Sequence, residues 1–239
     1  MIVIAFSWIG LAALGHWVSN ALRKDDPING IAFRCVQAYA KFVHHLHVKG
    51  EENIPVYRCD QDQCEPIMVV CNHTAGVDPA LVQAACPFEI RWMMAQDMMI
   101  PRYAFLWDWL HIIGVDRTAK RDMTAVREAI RHLTSGAVVG VFPEGGIERP
   151  ARHLRQFMAG VGLIIAKSNA QVLPVFIDGT PITEKAWDSL HISSQSRLTF
   201  GPLMRFDGAK QRPDAIAREL QAWFERVSGW PVLGPIVIG

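Results

Sequence analysis

The sequence carries no surplus of charge of either sign: 24 basic residues face 23 acidic ones, a net charge of +1. Nucleic-acid binders concentrate positive charge on one face, so that class is excluded. The five cysteines are an odd count with no metal-ligand rhythm. Cys59 and Cys64 bracket the polar stretch Asp60-Gln61-Asp62-Gln63. They read as reduced thiols of a reducing compartment, with a disulfide or metal pair as the alternative. A G-x-S-x-G nucleophile elbow is missing, which argues against a covalent serine mechanism. Repeats and low-complexity segments are also missing. No Lys or Arg precedes the first apolar run, so it lacks the charged start of a secretory signal peptide.

What is present is apolar bulk. Half of the 239 residues are hydrophobic and a fifth are charged, enough for one sizeable domain with an appended anchor. Residues 1–22 are almost wholly apolar, and a helix of that length just crosses a bilayer core of about 30 Å. Arg23-Lys24 would hold the downstream side in the cytoplasm. His16 and Asp25-Asp26 count against a full span, and a helix lying in the interface is the alternative. Asp25-Asp26-Pro27 breaks the chain. A second helix is expected from about Gly30 to His47, with Ile31, Val36, Tyr39, Ala40, Val43 and Leu46 at helical spacing. It suits a membrane surface or packing on the domain. The expected organisation is a helical anchor over 1–47, a domain over 48–228, and an apolar tail over 229–239 that dips into lipid or folds back.

From residue 48 onward, strand-like and helix-like stretches alternate. Strands are expected at 67–70, 89–95, 112–116, 137–142, 171–178 and 197–200. Helices are expected at 79–85, 101–110, 121–133, 157–167 and 213–227. The pattern predicts an α/β domain whose mixed sheet is largely parallel and flanked by helices. Ligands of such sheets gather beyond the carboxyl ends of the strands.

One such end organises the chain: Cys71-Asn72-His73-Thr74-Ala75-Gly76-Val77-Asp78-Pro79. Asp78-Pro79 reads as a helix start, with Asp as N-cap and Pro at the first helical position. Gly76 supplies the intervening turn with angles other residues avoid. His73 and Asp78 then stand at the two ends of a tight strand-to-helix turn. A carboxylate bonded to one ring nitrogen fixes the tautomer and frees the other to take a proton, which makes a general base. A bare N-cap Asp beside a polar turn His is the plainer alternative. The spacing alone is not diagnostic, because His111 and Asp116 repeat it.

Three further pieces lie at later strand positions. Val115-Asp116-Arg117 places an Arg where it suits a phosphate oxygen or a salt bridge with Glu144. Phe142-Pro143-Glu144-Gly145-Gly146 ends a strand in an acid and two glycines, a turn whose backbone N–H groups can approach an anion. Val172-Leu173-Pro174-Val175 puts a proline in a strand, which implies an edge position or a bulge. In this order and at these separations the four pieces resemble the phospholipid and glycerol-phosphate acyltransferase family, with its NHxxxxD, Asp-Arg, FPEGT-R-S and proline blocks. The similarity spans about residues 66–180.

The resemblance implies that His73 is the base activating an acceptor hydroxyl and that Asp78 orients it. The attacked group would be the thioester of acyl-CoA or acyl-carrier protein, with no metal and no bound cofactor. Asn72, Arg117, Glu144, Gly145, Gly146, Arg149 and Pro174 match positions associated with the substrates. It also implies a membrane-associated enzyme of phospholipid biosynthesis, its domain on the cytoplasmic side of the inner membrane and its partners the membrane lipids and the acyl donor. The third block departs from the pattern. Gly146 stands for the family's Thr, Ile147-Glu148 replace its Arg-Ser, and Arg149 comes one place later. Losing that Arg removes a bidentate phosphate clamp unless Arg149 or Arg152 replaces it. These changes count against a glycerol-phosphate acceptor and leave a lysophospholipid, an amino-acid lipid or another amphiphilic alcohol equally open. The rival readings are a lipid-binding protein without turnover, and a hydrolase or transacylase using the same site. Met93, Met94, Met98 and Met99 with Trp92, Trp107 and Trp109 suit core packing or an acyl groove. Arg149, Arg152, His153 and Arg155 form a basic run suited to anionic headgroups or to solvent.

Overall fold

Ile67-Met68-Val69-Val70-Cys71 forms a strand, β2, buried at every position. A strand so apolar on both faces belongs at the centre of a parallel sheet, and that is where the computed structural model puts it. The structure describes residues 26–56, 65–118 and 123–234. The apolar run 1–22 with Arg23-Lys24, the Cys59–Cys64 pair, and the end of the tail lie outside the described residues. β2 pairs in parallel with β5 (Val138–Val141) on one side and β7 (Gln171–Asp178) on the other. Beyond β5 come β3 (Ile90–Ala95) and β4 (Ile113–Val115), again parallel. Beyond β7 come β8 (Arg197–Phe200), antiparallel to it, and β1 (His47–Lys49). The seven-stranded order is β1-β8-β7-β2-β5-β3-β4, the largely parallel mixed sheet that was expected.

Alternation along β2 divides the core in two. Met68 and Val70 face α4 (Met123–Thr134), α5 (Ala159–Ser168) and α6 (Pro213–Ser228) through Ala129, Leu133, Ile164, Ile165, Leu220 and Phe224. Ile67, Val69 and Cys71 face the other way, onto Val82 and Cys86 at and just after α2 (Asp78–Ala85). On that side α1 (Pro27–Phe42) packs its Ala40 against Leu81 and Ala84 of α2. A short helix, α3 (Ala104–Trp109), precedes β4 and buries Trp107.

Several expectations need correcting. α1 begins at Pro27, not near Gly30, and ends at Phe42. Asp26 caps it, its Oδ1 accepting from Asn29 N at 3.0 Å, so the Asp-Pro pair starts a helix there. Pro174 lies in β7, an inner strand and not an edge, but beside a bulge: Val172 bridges Met204 and Val175 faces Phe200, so Leu173 and Pro174 stand against Gly201, Pro202 and Leu203. Its carbonyl accepts from Gly201 N at 2.9 Å, so its nitrogen faces the β8 side. The missing N–H therefore falls where the bulge interrupts the ladder between the Val172–Met204 bridge and the Val175–Phe200 pair. Two short strands were not expected: β6 (Leu154–Arg155) pairs in parallel with β9 (Val232–Leu233). The described part of the tail therefore folds back, with Trp230 edge-on to Phe176.

Register sets up the site. Val70 stands opposite Val141 of β5 and Pro174 of β7. Three parallel strands thus run in the same direction, and their loops carry His73, Glu144 and Thr180 out of the same end of the sheet.

Candidate active site

β2 stops at Cys71 and α2 starts at Asp78, with six residues between. Asn72 locks the start of this turn. Its amide donates to Ile177 O at 2.9 Å and accepts from Ile177 N at 2.7 Å, tying β2 to β7 with the side chain wholly buried. Asn72 is a brace with both amide ends engaged. Gly76 is needed for space and not for its angles: a Cβ there would lie 2.3 Å from Ala186 O.

Asp78 does not act as an N-cap. Its carboxylate turns back over the preceding loop, and Oδ2 accepts from Thr74 N at 2.7 Å and Ala75 N at 2.9 Å. The same oxygen lies 2.9 Å from His73 Nδ1. Oδ1 accepts from the Thr74 hydroxyl at 3.1 Å, and Thr74 Oγ1 lies 2.6 Å from Thr180 Oγ1. With its own proton given to Asp78, the Thr74 hydroxyl accepts from Thr180. A carboxylate ringed by donors is acceptor-only, so His73 carries its proton on Nδ1 and presents a bare Nε2. Asp78 is fully buried whereas the His73 side chain keeps 18% exposure. The orienting group is sealed and the base is reachable.

Glu144 secures the base from the adjacent strand. It is 2% exposed, and its oxygens accept from His73 N at 2.8 Å and Arg155 N at 2.7 Å. Burial pushes its carboxyl up to about 8, against the pull of those two N–H groups. The acid of the third block therefore holds the loop through both of its oxygens. Phe142 stacks on the His73 ring at 4.1 Å, and Trp92 stacks on Phe142 at 5.1 Å. Gly140 makes this ladder possible, since a Cβ there would lie 2.5 Å from the Trp92 ring. Trp92 and Trp107 are core residues, as packing on the sheet requires.

The remaining expected residues are dispersed. Arg117 is bound through Nε (3.1 Å) and Nη2 to Asp97, an exposed pair, and not to Glu144. Such a pair contributes at most about 1 kcal/mol. Gly145 has φ +72, and a Cβ on it would meet Met158 Sδ at 2.8 Å, whereas a Cβ on Gly146 would meet nothing within 4 Å. Arg149 spends its guanidinium on the carbonyls of Glu148 (2.6 Å) and Thr183. Pro174 is buried four residues before the end of β7, away from the loops. Thr74, Thr180 and Glu148 were not anticipated. Thr74 lay inside the recognised block, but nothing local signals Thr180, 106 positions away.

This arrangement can draw a proton from a hydroxyl at Nε2 while Asp78 stabilises the imidazolium, as a histidine–carboxylate pair does in acyl transfer. A family model described as Acyltransferase matches residues 45–178. A curated 1-acyl-sn-glycerol-3-phosphate acyltransferase of Borreliella burgdorferi is 30% identical over 138 residues, 56% of this chain and 51% of that protein. The match thus spans about half the length of that relative. The crystal structure of the 1-acyl-sn-glycerophosphate (LPA) acyltransferase of Thermotoga maritima shares the fold, with a TM-score of 0.64 and 21% identity over 86% of this chain and 82% of that one. The family match covers more than half of the residues and includes His73, Asp78 and Glu144; this chain belongs to the acyltransferase family.

Proposed function

We propose that the protein transfers a fatty acyl group from acyl-CoA or acyl-carrier protein to the hydroxyl of a lysophospholipid or related lipid acceptor. The observation that carries the reading is the His73 Nδ1–Asp78 Oδ2 contact of 2.9 Å, with Asp78 fixed by two further backbone donors. His73 Nε2 takes the acceptor's hydroxyl proton as its oxygen attacks the thioester carbon. The C–S bond breaks, and the departing thiolate receives that proton from the imidazolium. The scheme uses no metal, no bound cofactor and no covalent enzyme intermediate.

Membrane association completes the proposal. Ile28, Ile31, Cys35, Ala38 and Phe42 form an exposed apolar stripe on α1, flanked by Lys41. No helix among the described residues is long and apolar enough to cross a membrane. A 16-residue α1, about 24 Å long, suits a position on the cytoplasmic surface, the segment before it adding the anchor. The test uses purified full-length protein in detergent with an acyl thioester and a lysophospholipid, following free thiol and acylated lipid together. Matched release of thiol and lipid product, lost in His73→Ala, is the expected result. Thiol release independent of acceptor would make the protein a hydrolase instead.

A further inference from the structure

The catalytic turn is tied to the end of β7 at two places. The first is the Asn72 amide, which grips Ile177 N and O and fixes the strand end. The chain then leaves β7 through Asp178-Gly179-Thr180. Gly179 takes φ +74, and a Cβ there would lie 2.3 Å from Gln195 O, so this turn needs glycine for both angle and space. Asp178 Oδ1 accepts from Gly179 N at 2.7 Å. A strand end pinned at Ile177 and a turn closed at Gly179 bring the Thr180 hydroxyl back to 2.6 Å from that of Thr74. This is the second tie.

Its direction follows from proton counting. A hydroxyl has one proton to give, and Thr74 gives its own to Asp78 Oδ1 at 3.1 Å. Thr180 is therefore the donor of the 2.6 Å contact. A hydroxyl that accepts one hydrogen bond donates the next more strongly. Asp78 is fully buried, where an unpaired carboxylate oxygen is costly. Its Oδ2 serves His73 Nδ1, Thr74 N and Ala75 N. Among the described residues, Oδ1 is held by the Thr74 hydroxyl alone.

Resting on the acyl-transfer reading above, we propose that Thr180 is a positioning residue for the general base. It acts through Thr74 on Oδ1 of Asp78, and so helps to set the angle at which the carboxylate meets His73. Three hydrogen bonds in series join it to the imidazole. A tie that only fastened two loops would change stability and leave the base untouched.

The test uses full-length protein in detergent and compares Thr180→Val, which keeps the shape without the hydroxyl, with Thr180→Ser, which keeps the hydroxyl. With an acyl thioester and a lysophospholipid, Thr180→Val should lower kcat about tenfold, the scale of one hydrogen bond. Both Michaelis constants should stay within about twofold of wild type, and Thr180→Ser should restore most of the rate. Thr74→Val cuts the same chain closer to Asp78 and should cost about tenfold or more. Adding Thr180→Val to it should then cost nothing further, because the chain is already broken. A second arm needs no turnover. The proton on His73 Nδ1, recognised by NMR of histidine-labelled protein through its loss in His73→Ala, should move in Thr180→Val and return in Thr180→Ser. Wild-type kcat in Thr180→Val overturns the inference, as does an unmoved Nδ1 proton, a serine that fails to restore, or independent losses in the double variant. If the Nδ1 proton responds but the wild type acylates no lipid, the relay stands and the acyl-transfer reading fails.

Discussion

The chain contains the same histidine-to-aspartate spacing twice, at 73–78 and at 111–116, and the two copies fold into opposite things. Between His73 and Asp78 the backbone turns from β2 into α2, and the carboxylate reaches back 2.9 Å from the ring. Between His111 and Asp116 the backbone runs through β4 (Ile113–Val115). A strand advances about 3.3 Å per residue, which carries the two ends apart. His111 instead lies 3.5 Å from Glu89, its side chain 43% exposed, and Asp116 Oδ1 accepts from Thr118 N at 2.8 Å. The spacing means nothing until the backbone between its ends is known. What makes a base is a turn that brings the ends together and a shell that holds them.

The largest break in the symmetry should come from the aspartates. Asp78→Asn exchanges an acceptor for an amide where His73, Thr74 and Ala75 all donate. Acyl-transfer kcat should fall about 10⁴-fold, the scale seen when a triad carboxylate becomes an amide. Asp116→Asn, assayed alongside, should stay within a few-fold. Glu144→Gln comes next, because only the first copy is braced from a neighbouring strand. Its amide cannot accept both from His73 N and from Arg155 N. Displacing the base by a fraction of an ångström should lower kcat by about 10²-fold, with circular dichroism confirming the fold.

The brace also predicts how stability depends on pH. Glu144 and Glu148 titrate near 8 and 7 in the folded protein, above their ordinary 4.5. Between those limits the folded state holds protons that the unfolded state has released. Their contribution is therefore fully present below about pH 4.5 and is lost as pH rises through 7 and 8. Urea midpoints should decline from pH 6 to 8.5, and less steeply in Glu148→Gln. The smallest contrast is between adjacent glycines. Gly145→Ala puts a side chain at φ +72 against Met158, costing about 1–2 kcal/mol. Gly146→Thr enters open space and should stay within about 0.5 kcal/mol, which thermal melts can resolve.

Much of this was legible where the determining interactions are local. The strand Ile67–Cys71, the helix start at Asp78-Pro79 and the eight residues of β7 can be read from runs of side chains alone. The His73–Asp78 contact followed from the same turn. Pro174 was half legible: a proline in a strand argues for an edge or a bulge, and it stands in an inner strand opposite a bulge of the segment after β8. The bracing by Glu144 and Asn72 was not legible, since their partners on His73, Arg155 and Ile177 are distant in sequence. Thr180 and the buried Glu148 side chain depend on the packing of three separate loops, and short pieces such as β6 and β9 have no periodicity to detect.

The most direct test sets His73→Ala against His111→Ala in one acyl-transfer assay on folded, full-length protein. Loss of a positioned base should cost His73→Ala at least about 10²–10⁴ in rate, while His111→Ala stays within a few-fold of wild type. A folded His111→Ala that has lost transfer, beside a His73→Ala that retains it, would contradict the assignment of the base.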